Sequence, residues 1–285
     1  MSLKHIIIAY NPKSGSFDQK LLDRLCAAFA NAGHVSDLID SYSDDLIGKA
    51  RQAAHICVVG GDGTLRDVAE RLRNITALPP MSVYPAGTIN LVARELSYPR
   101  NVDKFVARVA GGNAPRMLYL GELNAQPMLV CASIGPDSLA VAAVSEDLKR
   151  RIGRFAYGVA LGKLLLRWPR HAMSVDSDGA TYACEAAFVL NGRYFAGPWQ
   201  LSRTAQMANP MFQLLLLPTA RRRDYLRLIL SVAVSSALAS KNWIRLATSS
   251  VEIAADSKLP VQVDGDISAT LPIKAIINTN QMLFA

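Results

Sequence analysis

The sequence predicts an α/β N-terminal domain built on a parallel sheet, followed by a mostly antiparallel β domain with helical insertions. Three observations carry that expectation. Up to about Gly112, short apolar, β-favouring runs alternate with amphipathic helical runs, the pattern of a parallel sheet covered by helices. Three of those apolar runs end in loops rich in Gly, Pro, Asn and Ser, which such a sheet would gather along one edge. From about Arg116 the texture changes to short strand-like runs interrupted by helical stretches, so the expected domains are 1–115 and 116–285.

Lys4–Tyr10 reads as a buried strand, ended by Asn11-Pro12-Lys13-Ser14-Gly15. Ser16 and Gln19 have the spacing of a capping box, and Leu21, Leu25, Ala28 and Phe29 mark a helix face that Gly33 closes. Val35–Ile39 is a second strand. Ser43 can cap the helix after it, with Asp44 and Asp45 in the first turn. The apolar run His55–Val59 meets Gly60-Gly61-Asp62-Gly63-Thr64, and Leu65, Val68, Ala69 and Leu72 then follow at helical spacing. Met81–Tyr84 enters Pro85-Ala86-Gly87-Thr88-Ile89-Asn90, with helices through Leu91 and Ala93 and over Val102, Phe105, Val106 and Val109. In the second half, strands are expected at 128–132, 173–175, 182–191, 212–217, 251–255, 260–263 and 275–277, and helices near 137–149, 153–167 and 222–239.

Composition narrows the class. Hydrophobic residues make up 51% and charged residues 19%, which is globular. The net charge of +8 implies an anionic partner: a phosphate-bearing ligand, an anionic membrane surface or nucleic acid. No recognition motif or interleaved aromatics accompany the charge, so nucleic acid is not expected. Cys26, Cys57, Cys131 and Cys184 are widely spaced, which argues against a disulfide framework or zinc site and for a reducing compartment. The N-terminus does not read as a secretory signal. The longest uncharged apolar stretch, Leu228–Ser240, is 13 residues, too short to span a bilayer. A soluble, cytoplasmic protein is expected.

The turn at 60–64 has the chemistry of a phosphate cradle. Glycines let a ligand approach the main chain closely, and the helix that follows aims its unpaired N–H groups at the turn. Gly60, Gly61 and Gly63 can supply that backbone. Thr64 can cap the helix or bond a phosphate oxygen. An acceptor-only carboxylate here would repel phosphate unless Mg²⁺ intervened or it oriented a hydroxyl, so Asp62 reads as a metal or catalytic residue rather than a structural one. Asn11 and Thr88 can each be a turn or capping residue only. Asp264-Gly265 by itself is a hairpin signal.

Taken together, these pieces resemble the diacylglycerol kinase catalytic-domain family, which includes bacterial lipid kinases and sphingosine kinases. The matching segments are Asn11-Pro12-Lys13-Ser14-Gly15, Gly60-Gly61-Asp62-Gly63-Thr64 and the run from Pro85 to Arg94. In the β domain they are Gly135-Pro136-Asp137, Asn191-Gly192-Arg193-Tyr194-Phe195 and Asp264-Gly265-Asp266. The resemblance implies a nucleotide-binding α/β domain, a C-terminal β-sandwich and an ATP site in the cleft between them. It implies that ATP, with its Mg²⁺, contacts Asn11, Gly60, Gly61, Asp62, Gly63, Thr64, Gly87, Thr88 and Asn90. The substrate implied is a diacylglycerol-like or sphingoid lipid. Where the family usually has Asp-Gly-Glu, with the glutamate proposed as base, this chain has Asp266, one methylene shorter. It is expected to be the general base, helped by Asp137 and Asp62.

Two acidic positions that relatives carry after Gly-Arg-Tyr-Phe are replaced here, the second segment reading Asn209-Pro210-Met211-Phe212-Gln213, so a further Mg²⁺ site is expected to be missing. Lys149-Arg150-Arg151 with Arg154, and Arg221-Arg222-Arg223, suit transient association with an anionic membrane surface, or are simply solvated helix ends. A homodimer is left open. Two rival readings stand beside the lipid kinase: a kinase of a soluble substrate, and a lipid- or nucleotide-binding protein with weakened catalysis. A lipid substrate predicts a deep apolar slot between the sheets of the sandwich, a soluble one a polar cleft.

Overall fold

The computed structural model describes residues 4–285 except 76, 113, 145–158, 161, 163, 165–167, 196 and 235–237, and except the side chains of 279 and 280. The chain divides into two compact units, one running to Tyr119 and taking back Thr279–Ala285, the other Leu120–Asn278.

The first unit alternates strand and helix: β1 (His5–Tyr10), α1 (Gln19–Asn31), β2 (Val35–Asp40), α2 (Leu46–Gln52), β3 (His55–Gly60), α3 (Asp62–Leu72), β4 (Met81–Pro85), α4 (Leu91–Glu95) and α5 (Val102–Ala110). The strands pair in parallel in the order β2-β1-β3-β4, and Phe284 from the end of the chain pairs in parallel beside Met81. Every residue of β3 is buried, as befits a central strand covered on both faces. Tyr10, Val59 and Tyr84 lie side by side in the register, so the loops at 11–15, 60–64 and 85–90 leave from one edge.

Two caps differ from expectation. α1 starts at Gln19, and its cap is Asp18, whose carboxylate accepts from the Leu21 N–H at 3.3 Å. Ser14 and Ser16 instead bond each other in the preceding loop. α2 starts at Leu46 with Asp45 at the cap and no acidic residue in its first turn, while the Ser43 hydroxyl accepts only from the Asp45 N–H. In both places the backbone closes a tight turn first, and the helix starts later than the side-chain spacing suggests.

The second unit holds β5 (Arg116–Leu123, begun at the end of the first unit), β6 (Gln126–Met128), β7 (Cys131–Ile134), α6 (Pro136–Ala142), β8 (Met173–Ser177), β9 (Ala180–Cys184), β10 (Ala186–Leu190), β11 (Phe212–Leu217), α7 (Arg222–Ala233), β12 (Ile244–Thr248), β13 (Ser250–Ala254), β14 (Pro260–Val263), β15 (Asp266–Thr270) and β16 (Ile273–Phe284). A six-stranded antiparallel sheet runs β12-β11-β10-β7-β14-β15, and a second set runs β16-β13-β8-β9. Between them lies an apolar core that includes Ala132, Val175, Val189, Phe212, Leu214, Val261 and Ile273, which makes this a β-sandwich.

The stretch 182–191 reads as one strand in the sequence but forms two, because the chain passes from one sheet to the other at Glu185. Strands β5, β12 and β15 escaped the sequence reading: β12 and β15 are largely exposed and carry no long apolar run. Helix α7 ends at Ala233, short of the 239 expected, and α6 at Ala142. The rest of the expected helix 137–149, most of 153–167 and the basic cluster at 149–154 lie outside the described residues.

All four cysteines are free, and Cys57, Cys131 and Cys184 are buried. Burial pushes the Cys57 and Cys184 thiols up to about 12. Since the thiolate is the reactive form, only Cys26 should react readily with a thiol reagent in the native protein at about pH 8, against four thiols in denaturant. Two or more thiols reacting at similar rates in the native state would contradict this burial.

Candidate active site

In the first unit, the glycine loops are joined by backbone contact. A Cβ on Gly87 would lie 2.6 Å from the Gly61 Cα and 3.1 Å from its nitrogen, so the two chains pass at a distance that only glycine permits. The Ala86 N–H donates to the Gly60 carbonyl at 3.2 Å, continuing the β3–β4 ladder into the loops. A Cβ on Gly60 would meet Thr64 at 2.6 Å, so the buried Thr64 side chain lies over Gly60. Thr64 is the third residue of α3, and the helix has Gly61 at its cap with no side-chain cap bond. Gly63 has open space where a Cβ would go.

Asp62 is buried, and its two oxygens accept from the Leu91 N–H at 2.8 Å and the Val92 N–H at 3.0 Å. The carboxylate therefore sits on the N-terminus of α4, where the helix dipole favours a negative charge. The sequence argument weighed a metal or a substrate hydroxyl against Asp62; a neighbouring helix end is a third way to stabilise that charge. Asn90, at the cap of α4, adopts a left-handed backbone with φ 55°. Its amide nitrogen donates to the Gly87 carbonyl at 2.5 Å, while its Oδ1 is buried without a partner. Asn11 closes an Asx-type turn, its Oδ1 accepting from the Lys13 N–H at 2.8 Å. Thr88 is exposed and is not the cap of α4.

The motifs of the second unit converge on one piece of backbone. Asp264 is buried and accepts from the N–H groups of Leu129, Val130 and Cys131 at 2.8, 2.8 and 3.1 Å. Asn191 donates its side-chain amide to the Leu129 carbonyl at 2.7 Å, and the N–H groups of Asn191 and Gly192 both donate to the Val130 carbonyl. Asp264 and Gly265, both at positive φ, form the two-residue turn of the β14–β15 hairpin, so the turn reading of Asp-Gly holds. Asp266 is the residue that leaves that turn, partly exposed at the start of β15.

Asp137 belongs to α6, which packs against β7, β14 and β15. Its Oδ1 accepts from the Tyr225 hydroxyl at 2.8 Å, and its Oδ2 is buried without a partner. Burial raises the Asp137 carboxyl above the usual carboxylate range, outweighing the groups that favour its charge, the Ser133 and Tyr225 hydroxyls and the Asp137 and Ser138 N–H groups. Gly135, at φ 144°, leaves room that a Cβ would take from Tyr225 and Ala186, both 3.0 Å away. Sequence reasoning missed Tyr225; its signal is an aromatic with a hydroxyl on the inward face of an otherwise arginine- and leucine-rich helix.

No group of three or more His, Cys, Asp or Glu side chains suited to a metal occurs among the described residues. Gln213, at one of the replaced acidic positions, accepts instead from the Thr204 hydroxyl at 3.2 Å. Both line a cavity of about 740 Å³ beside α7, with Leu190, Leu215, Val232 and Leu246 among its apolar walls and Arg203, Lys241 and Arg245 among its polar ones. Between the sheets the described residues form the packed apolar core, and this cavity is not there. Gln213, Leu215, Arg245 and Leu190 belong to the opposite side of the strands from Leu214, Phe212 and Val189, so the cavity lies on the outer, helix-bearing face of the six-stranded sheet.

Two variants test this geometry. Gly87→Ala should lose about 1–3 kcal/mol and several degrees of unfolding midpoint, because its methyl meets backbone; Gly63→Ala should be neutral or stabilising. Equal effects of the two in calorimetry would refute the close approach. For Asp137, the native state holds the proton more tightly than the unfolded chain, so its contribution is present at low pH and is lost as pH rises from the usual carboxylate range through the raised native value. Asp137→Asn should therefore raise the unfolding midpoint over that of the unaltered protein at about pH 8, with the gap closing towards about pH 4. A gap that does not depend on pH would show that the buried charge is compensated.

Comparison with known proteins fits this layout. The model of the diacylglycerol kinase catalytic domain matches residues 5–120, and that of the YegS C-terminal NAD kinase beta sandwich-like domain matches residues 131–283. The diacylglycerol kinase of Bacillus subtilis is 26% identical over 280 residues, spanning 95% of this chain and 92% of its own length. A Pseudomonas savastanoi protein named "Probable lipid kinase YegS-like" is 30% identical over 228 residues, spanning 78% of this chain and 72% of its own. In fold, the chain is similar to a diacylglycerol kinase structure from Bacillus anthracis, with TM-score 0.73, 16% identity and coverage of 100% and 98%. It is also similar to an NAD kinase from Archaeoglobus fulgidus in complex with ATP, with TM-score 0.53, 15% identity and coverage of 98% and 92%. With its α/β and β-sandwich halves both matched, this chain belongs to the diacylglycerol kinase catalytic-domain family.

Proposed function

We propose that the protein is an ATP-dependent lipid kinase, transferring the γ-phosphoryl group to a hydroxyl of a diacylglycerol-like or sphingoid lipid. The observation that carries the reading is the Gly61–Gly87 approach with the orphan Oδ1 of Asn90 beside it. That edge presents open backbone at Gly61, Gly63 and Gly87 and one buried acceptor still to be satisfied, which suits phosphates along the main chain and a nucleotide hydroxyl or amino group at Asn90. Asn11 and Thr88 flank it. Thr64 contributes by packing over Gly60 and through its backbone. We assign Asp62 to holding the start of α4 against the cradle, in place of the catalytic part the sequence suggested.

The described residues offer no cluster for a resident metal, and no step here is routed through one. Mg²⁺ would come with the nucleotide and neutralise charge on its phosphates.

For the acceptor, the reading rests on the lipid-kinase relatives and on the cavity of the second unit, whose mixed apolar and cationic lining suits an amphiphile better than a small polar substrate. A transient association with anionic membrane follows from where such a substrate resides. Asp266 is assigned as the base that takes the proton of the lipid hydroxyl. A second assignment, Asp137, is favoured by its orphan Oδ2 and by a carboxyl that burial raises above the usual range.

The test is transfer of radiolabel from ATP to a total-lipid extract, with identification of the labelled species. Asp266→Asn should cut turnover by at least about 100-fold with nucleotide affinity retained. Unchanged turnover moves the base to Asp137, and nucleotide binding with no lipid labelled by the unaltered protein leaves the binding-protein reading.

A further inference from the structure

Helix α7 turns one face inward and leaves the other bare. Tyr225, Leu228 and Ser231 are buried, whereas Leu226, Leu230 and Val234 are 58%, 41% and 72% exposed. These three recur every four residues, so they form one stripe along the outward face. Arg222, Arg223 and Arg227 are exposed on the same face, Arg222 in line with the stripe and Arg223 and Arg227 beside it. The helix has one acidic residue, Asp224, and its charge is committed elsewhere: Oδ2 accepts from the Thr219 hydroxyl at 2.9 Å and from the Arg221 N–H at 3.0 Å, at the start of the helix. The outward face thus carries an apolar row with Arg222 at its start and Arg223 and Arg227 along one side, and no exposed carboxylate of the helix lies on it.

Past the helix the surface continues in the same character. The Arg227 Nε donates to the Leu238 carbonyl at 2.6 Å, which holds Leu238, itself 41% exposed, close to the helix. Val234 is also a wall of the 740 Å³ cavity, whose polar lining includes Arg203, Lys241 and Arg245 and, among the described residues, no acidic one. The stripe and the mouth of the cavity are therefore one continuous surface. The mouth of the cavity lies by β11 and β12 of the six-stranded sheet, while the start of α7 reaches α6 through the Tyr225–Asp137 bond.

We propose that this face, Leu226, Leu230 and Val234 together with Arg222, Arg223 and Arg227, is the surface by which the protein lies on a bilayer containing anionic phospholipid. Apolar side chains flanked by arginines are the composition of an interfacial helix: the leucines enter the boundary of the acyl region while the guanidinium groups meet lipid phosphates. A second copy of this chain would set the same arginines against each other, and the helix offers no free carboxylate to receive them. The proposal rests on the lipid-kinase reading only for its purpose, which is to bring the cavity to a substrate that stays in the membrane. It also gives work to part of Leu228–Ser240, too short to cross a membrane: Leu228 and Ser231 face the core, while Leu230, Val234 and Leu238 are exposed.

The experiment is co-sedimentation of the full chain with vesicles of phosphatidylcholine alone and of phosphatidylcholine with one third phosphatidylglycerol. The unaltered protein should bind the anionic vesicles much more strongly. The pairs Leu226→Gln/Leu230→Gln and Arg222→Gln/Arg223→Gln should each lower that partitioning by about tenfold or more, with unfolding midpoints within a few degrees of the unaltered protein. Both pairs should retain phosphoryl transfer to a short-chain, monodisperse diacylglycerol, because they lie outside the site. Variants that sediment like the unaltered protein would overturn the proposal. So would an unaltered protein that is a dimer without vesicles and becomes a monomer in the leucine pair, since the face would then belong to a second copy. Normal transfer to the monodisperse lipid together with either of those results removes the docking surface and leaves the kinase reading standing. Vesicle binding lost in the variants, with no transfer by any protein, removes the kinase reading alone.

Discussion

A buried carboxylate placed on backbone N–H groups organises the first unit. Asp62 stands at the start of α3 and bonds the start of α4, so two helix N-termini that follow two different strands are tied through one side chain. That tie lets Gly61 and Gly87 run in contact, and the left-handed Asn90 closes the arrangement from the other side. If the tie were absent, the buried amides of Leu91 and Val92 would lose their acceptor, at about 1–3 kcal/mol each. The arrangement is therefore a property of two segments held together, and neither makes it alone.

The second unit repeats the device with different parts. Asp264 receives three consecutive N–H groups at 129–131, and Asn191 holds the carbonyls of the same segment. Two motifs separated by more than seventy residues in sequence thus serve one short stretch of chain, the one that leads through β7 to α6 and Asp137. Against that background Asp137 stands out. It is a buried carboxylate whose charge burial disfavours despite the nearby Ser133 and Tyr225 hydroxyls and backbone N–H groups. Asp62 and Asp264 rest on two and three backbone N–H groups, whereas one Asp137 oxygen is buried without a hydrogen bond.

Helix α7 links that chemistry to the surface. Its inward face supplies the Tyr225 hydroxyl to Asp137, and its outward face carries the leucine stripe. The same twelve residues therefore serve the interior on one side and face the solvent with an amphipathic pattern on the other.

Much of this was legible in the sequence. Period and punctuation located the parallel sheet and its three loops, because apolar alternation and glycine have local physical meaning: a side chain that recurs at a helical or strand period must share a face, and a Gly-rich turn after a strand must open at the sheet edge. The Asp264-Gly265 turn was legible for the same reason. What only the tertiary structure decided is where each carboxylate goes. Asp62, Asp137, Asp264 and Asp266 are one residue type in similar glycine-rich company, and nothing local distinguishes them. Their partners lie far along the chain: the amides at 91–92 for Asp62, the Tyr225 hydroxyl for Asp137 and the amides at 129–131 for Asp264. A carboxylate's role follows from what neutralises it, and that is settled by packing between distant segments rather than by the residues on either side.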